Sequence, residues 1–211
     1  MHTLNRRSLA LLAALPLAML PPLPALAADD AADIARVEQA LNSFETLQTR
    51  FTQIASNGAV SEGELYIRRP GRLRLAYKAP NPLLIVADGT WLVMHDVETK
   101  QVDRYPLTDT AIRVLVQKDV KFGGRLAVKT VERGAGVLRI SVFDRQRPGD
   151  GLITLIFEDL ANRLLFRQWE VLDAQGLLTR FMLAEPKVNI ALDAKLFVFN
   201  DERPLDSTRP Q

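Results

Sequence analysis

Apolar residues at Ile34, Val37, Leu41, Phe44, Leu47 and Phe51 fall at helical spacing and predict one amphipathic helix over Asp29–Phe51. Asp29, Asp30 and Asp33 stand near its start, where the helix dipole favours acids. Beyond the turn at Asn57-Gly58 the period drops from 3.6 to 2. Gly63–Arg68 and Arg72–Tyr77 alternate on either side of Pro70-Gly71. Pro80-Asn81-Pro82 is a second turn, Leu83–Ala87 a short apolar strand, and Asp88-Gly89 a hairpin turn that returns the chain as Trp91–Asp96. Gln101–Tyr105 follows. Thr108 or Asp109 caps a predicted short helix through Lys118, with Ile112, Leu115 and Val116 apolar. After Gly123-Gly124 come strands at about Leu126–Glu132, Val137–Phe143, Leu152–Glu158, Leu164–Leu172 and Leu177–Ala184, then a short segment bounded by Pro186 and Asp193 that precedes Lys195–Phe199.

This order predicts a mainly β protein of the α+β class: one long, strongly curled antiparallel sheet with two helical segments to cover it. A sheet of this size must bury one face. The helices therefore either fill the interior or lid an apolar cavity.

The ends of the chain change the picture. Arg6 and Arg7, the apolar run Leu9–Leu20, the prolines at 21, 22 and 24, and Ala25-Leu26-Ala27 together predict a cleavable export signal over residues 1–27. The prolines argue against a membrane anchor there. The paired arginines leave both the Sec and the twin-arginine routes open. The periplasm is thus the expected compartment, one without ATP. The polar, proline-containing tail over 200–211 is expected to be disordered, which leaves 28–199 as a single domain. Losing Arg6 and Arg7 brings the 27 basic residues level with the 25 acidic ones, so the mature chain gives no support for nucleic-acid binding. The chain has no cysteine, hence neither a disulfide nor a lipid-anchoring thiol.

Catalytic patterns are missing as well. His95 is the one histidine beyond the signal, and a lone histidine on a strand reads as structural. There is no Gly-x-Ser-x-Gly, His-Glu-x-x-His or phosphate-binding glycine loop. Asp144, Asp150, Glu158 and Asp159 read as solvated charges rather than a catalytic pair. No enzyme activity, metal site or cofactor is expected.

Gly63-x-Leu65-x-Ile67-Arg68-Arg69-Pro70, Leu75-Ala76-Tyr77-x-x-Pro80, Ile85-x-x-Asp88-Gly89 and Gln101-Val102 form an ordered run that resembles the LolA family. Phe51-Thr52-Gln53 and Leu196-Phe197 fit the same pattern, and the resemblance extends over about 34–199. It implies an incomplete antiparallel β-barrel whose apolar cavity is covered by helices. The implied task is to carry acylated outer-membrane lipoproteins across the periplasm. The chain would take them from an inner-membrane ABC-type release complex and deliver them outward. Whether a separate outer-membrane receptor takes part stays open, and a monomer is expected. A triacyl anchor has on the order of 45 methylenes at roughly 0.8 kcal/mol each, so it does not cross water bare. Two alternatives share the fold: a carrier of another envelope lipid, and a protein-binding regulator of envelope stress. Departures from the family pattern include Leu73 and Leu75 where aromatic residues are frequent, and His95 and Val93 where tyrosine and tryptophan are usual.

Strand parity places Leu65, Ile67 and Arg69 on one face, and Leu73, Leu75 and Tyr77 on one face of the next strand. With Ile85 and Val93 these are the expected cavity lining. The resemblance implies that Arg69 hydrogen-bonds to the lid and holds it shut. It also makes Leu41, Phe44, Leu47 and Phe51 the apolar face of a lid helix.

Overall fold

The computed structural model describes residues 28–200, apart from 161 and 162. The expected export signal, and all of the expected tail except Asn200, lie outside the described residues. Helix α1 (Ala28–Asn42) is followed by β1 (Thr46–Ile54), β2 (Val60–Arg68), β3 (Arg72–Tyr77), β4 (Leu83–Asp88), β5 (Trp91–Asp96) and β6 (Val102–Pro106). A 3-10 turn (Leu107–Asp109) and the short α2 (Arg113–Val116) interrupt the strands. Then come β7 (Leu126–Gly134), β8 (Val137–Asp144), β9 (Gly151–Leu160), β10 (Arg163–Asp173), β11 (Leu178–Val188) and a 3-10 turn at Ala194–Phe197.

All eleven strands form one antiparallel sheet in the order 6-5-4-3-2-1-11-10-9-8-7. Strands β1 and β11, from the two ends of the chain, pair in the middle. Strands β6 and β7, neighbours in sequence, form the two edges and do not pair. The barrel is therefore incomplete. It nevertheless curls until its edges approach at one end, where Arg125, just before β7, donates to the Thr108 carbonyl at 3.0 Å.

The ten strands expected from alternation are all present. The eleventh, β1, occupies a stretch expected to be helical. The helix stops at Asn42, Phe44 lies in the connection, and Leu47 and Phe51 stand on β1. The error has a simple cause. Positions four apart share a face of a helix, but four is even, so they also share a face of a strand. Within β1 the buried positions are Leu47, Thr49 and Phe51, a period of two. Thr46, Thr49 and Thr52 supply the β-branched side chains that favour a strand. The second helical stretch is also shorter than the expected span from 108 or 109 to 118.

Register then builds one continuous apolar layer on the concave face. Leu65, Leu75, Ile85 and Met94 stand side by side across β2–β5, and Ile67, Leu73, Ala87 and Leu92 make the next row. On the other half, Phe181, Trp169, Leu155, Ile140 and Val131 continue across β11–β7. Phe51 joins the halves: its ring meets Tyr77 edge-on at 5.1 Å and Phe181 at 6.1 Å. It sits over Gly63, where an added Cβ would come within 2.3 Å of the Ala76 carbonyl oxygen and 2.6 Å of the Phe51 ring. A backbone oxygen and a buried ring cannot both yield. Gly63→Ala is expected to destabilise the fold by about 1–3 kcal/mol, read as a lower urea midpoint at unchanged slope.

Candidate functional site

The concave face is covered by two elements. Helix α1 packs over β10 and β7 and buries Val37 and Leu41. The excursion between β6 and β7 lays Leu107, Val114, Leu115, Val116 and Val120 into the same apolar cluster. Beneath them Leu65, Ile67, Leu73 and Leu75 are at most 1% exposed, so the lining is fully covered in this form. Tyr77 is half-buried, and burial pushes its phenol upward; it donates to the Gln53 side chain.

Arg69 lies between the two covers. It follows the last residue of β2, two positions beyond Ile67, so strand parity aims it into the interior. Nε donates to the Leu115 carbonyl of α2 at 3.0 Å. Nη1 donates to the Leu41 carbonyl of α1 and reaches the Phe44 carbonyl at 3.5 Å. The guanidinium also lies over the Phe44 ring, 4.3 Å from its centroid. Leu41 and Leu115 fall in the last turns of their helices, where carbonyls lack intrahelical partners and a cation suits the dipole. Burial lowers the Arg69 pKa to about 10, so the group still carries its charge at neutral pH. One residue thus ties the sheet to both covers through three carbonyls.

The covers are also tied to each other. The Asn42 side chain donates to the Val120 carbonyl at 3.0 Å and accepts from the Val120 amide at 2.8 Å. Glu38 accepts from the Phe122 amide at 2.7 Å and from Lys121 at 2.6 Å. Val120 is fully buried. Asn42→Ala leaves two of its backbone groups without partners, an expected loss of about 2 kcal/mol. Hydrogen exchange should show faster exchange at amides in 112–122, with β8–β10 unchanged. The outer end of α1 is pinned by charge: Arg36 to Asp159 at 2.5 Å, and Arg133 to Asp33 and Asp30 at 2.6 and 2.8 Å.

The excursion leaves and re-enters the sheet through a charged neck. Arg125 binds Asp144 at 2.7 Å, Arg147 binds Asp109 at 2.7 Å, and the buried Arg113 faces Asp144 at 3.3 Å. Asp144, Asp150, Glu158 and Asp159, expected as solvated charges, each sit within 4 Å of an arginine.

Most of the expected lining residues come together: Leu65, Ile67, Leu73, Leu75, Tyr77 and Ile85 share the concave side with Leu41, Leu47 and Phe51. Val93 does not. It pairs with Val86, which pairs with Arg74, and that row faces outward. The C-terminal 3-10 turn covers this outer side, packing on β3 and β4 with Phe197 buried. Arg74 fastens the turn by donating to the Leu196 carbonyl at 3.2 Å. His95, of the same parity as Val93, meets the Phe199 ring edge-on at 5.2 Å. The inward residues of β5 are Leu92 and Met94. Among the described residues no cluster of acids and histidines could hold a metal, and no helix is long and apolar enough to cross a membrane.

Comparison with known proteins identifies the family. The family profile described as "Outer membrane lipoprotein carrier protein LolA" matches residues 42–200. An outer-membrane lipoprotein carrier protein of Legionella pneumophila is 32% identical over 182 residues, 81% of this chain and 86% of that protein. One from Pseudomonas aeruginosa is 30% identical over 179 residues, 78% and 82% of the two chains. A solved LolA superfamily structure from Nitrosomonas europaea aligns at TM-score 0.47 and 12% identity, over 80% of this chain and 97% of that one. An unclosed eleven-stranded sheet, its covered apolar face and a profile match along most of the described chain lead to one conclusion: this protein belongs to the LolA family of outer-membrane lipoprotein carriers.

Proposed function

We propose that this protein is a periplasmic carrier that shelters the acyl chains of lipoproteins on their way to the outer membrane. The observation that carries the reading is the continuous apolar concave layer, covered by two elements that polar bonds, rather than strand pairing, hold in place. Swinging α1 and the 107–122 segment aside exposes that layer to cargo. Acyl chains then replace apolar lid contacts with apolar cargo contacts, so the exchange is nearly balanced and requires no ATP. Arg69 is the latch: its bonds to the Leu41, Phe44 and Leu115 carbonyls exist in the covered form and are given up when cargo enters. The reaction is non-covalent, and no residue acts as a catalyst. The export pattern over 1–27 and the family membership support the periplasm as its site of action, with an inner-membrane release complex as donor.

The test is release. Spheroplasts bearing labelled outer-membrane-type lipoproteins are mixed with the purified protein, and the supernatant is assayed for a soluble complex. A one-to-one complex that requires the acyl groups is the expected result. An empty supernatant, with a different lipid bound to the protein, would replace lipoprotein with that lipid as cargo.

A further inference from the structure

Among the described residues, one buried polar atom in the concave layer has no hydrogen-bond partner. Trp169, on β10, is fully buried. It pairs in register with Phe181 of β11 and Leu155 of β9, both core residues of the concave face, and α1 packs over its strand. Its indole stacks on Phe181 at 4.4 Å with 9° between the planes, and lies near-parallel to Phe166 at 6.2 Å. An indole N–H lies in the plane of its ring, so these stacks direct it past both aromatic faces rather than into them. Among the described residues nothing accepts a hydrogen bond from Trp169 Nε1.

Indole has a single donor and no acceptor, so this side chain's whole hydrogen-bonding capacity is unmet. Unpaired buried donors are rare in folded proteins and costly to keep. Phenylalanine would preserve the stack without that cost. The two other unpartnered buried nitrogens differ in kind. Arg69 Nη2 belongs to a guanidinium that is bonded through its other nitrogens, and Arg113 Nη2 faces Asp144 at 3.3 Å. Trp169 is the donor in the apolar layer with nothing to bind.

We propose that Trp169 Nε1 binds the carbonyl oxygen of an acyl ester when the cavity is loaded. The inference rests on the carrier reading and deepens it. Acyl chains offer hydrocarbon along their length and one class of strong acceptor, the carbonyl at the head of each chain, an ester where the chain joins the glycerol. A donor fixed in an otherwise apolar layer sets the depth at which that carbonyl comes to rest. The site therefore selects acyl esters over alkyl chains of equal length. In the covered form the donor is unsatisfied, which favours exchange of lid for cargo.

The test compares two lipids that differ in the carbonyl. Radiolabelled dipalmitoylglycerol, a diester, and dihexadecylglycerol, its diether, are each partitioned between phosphatidylcholine vesicles and the purified protein. The protein is expected to take up the diester about three- to tenfold better than the diether, relative to their partition without protein. Trp169→Phe, which keeps the aromatic stack, is expected to bind both lipids equally. Equal binding by the unaltered protein would overturn the role of Trp169 and leave the carrier reading standing. So would an ester preference that survives in Trp169→Phe. Uptake of neither lipid would overturn both. The comparison within the unaltered protein needs no variant, so a folding defect in Trp169→Phe does not obscure the result.

Discussion

Arg69→Leu is expected to take up lipoproteins and fail to let them go. The substitution removes the donors that hold the Leu41, Phe44 and Leu115 carbonyls, and with them a large part of the polar difference between covered and open forms. Bonds from a charged donor contribute roughly 1.5–3 kcal/mol each. Against this stands the desolvation of the guanidinium, seen in its lowered pKa. A net shift of about 3 kcal/mol moves the covered-to-open ratio by a factor of about 150. With the covered form disfavoured, nothing drives the lid back over the sheet, and cargo stays. The release assay should show a soluble complex in normal or greater yield, and its transfer to outer membranes should fall by about a hundredfold. Arg69→Lys keeps charge but not the planar fork that spans two helix ends, so it should recover only part of the transfer. Normal delivery by Arg69→Leu would remove the latch from the mechanism.

Asn42 and Arg69 act on the same pair of covers, so their effects should not add. Once Arg69 is gone, untying Asn42 from Val120 frees elements that are already loose. The proposed latch is thus better described as a small polar assembly around the C-terminus of α1 than as one residue. Its parts differ in reach: Arg69 binds covers to sheet, and Asn42 binds cover to cover.

Legibility in the sequence followed the reach of each interaction. Strands β2 to β4 could be read because Leu65, Ile67, Leu73 and Leu75 alternate cleanly between turns that Pro70-Gly71 and Asp88-Gly89 enforce. The same parity brought Arg69 inward. The periodicity failed where two periods coincide, at Leu47 and Phe51. It failed again in β5, where Leu92, Val93 and Met94 are all apolar and alternation names no face. What decides there is the C-terminal turn, which buries the outer side with Phe197 from a hundred residues away, a contact that no local pattern carries. The family resemblance implied the architecture and singled out Arg69. It gave neither the charged neck nor the unpaired indole, since both arise from residues that only register and curl bring together.

The neck supplies the largest expected effect on stability. Asp144 accepts from Arg125 and faces Arg113, which is buried beside it. The hydrogen bond from Arg125, with the nearby Arg113 charge, holds the Asp144 carboxyl below the usual carboxylate range. Burial lowers the Arg113 pKa in turn, opposed by Asp144. Asp144→Asn leaves the Arg113 charge buried without a counter-ion, and removing one partner of such a pair costs about 3–5 kcal/mol. The pH dependence has a definite sign. A carboxyl whose folded pKa lies below its unfolded value of about 3.9 contributes stability above that value and loses it as pH falls through the folded pKa. The gap between Asp144→Asn and the unaltered protein should therefore be full at pH 7 and shrink below about pH 4. Arg113→Leu combined with Asp144→Asn should recover most of the loss, because with the cation gone no unpaired charge is left buried. Urea unfolding at pH 7 and pH 3 measures all three. An Asp144→Asn protein as stable as the original at pH 7 would show that Arg113 finds its counter-charge elsewhere, with Asp109, and that the neck is held by Arg147 instead.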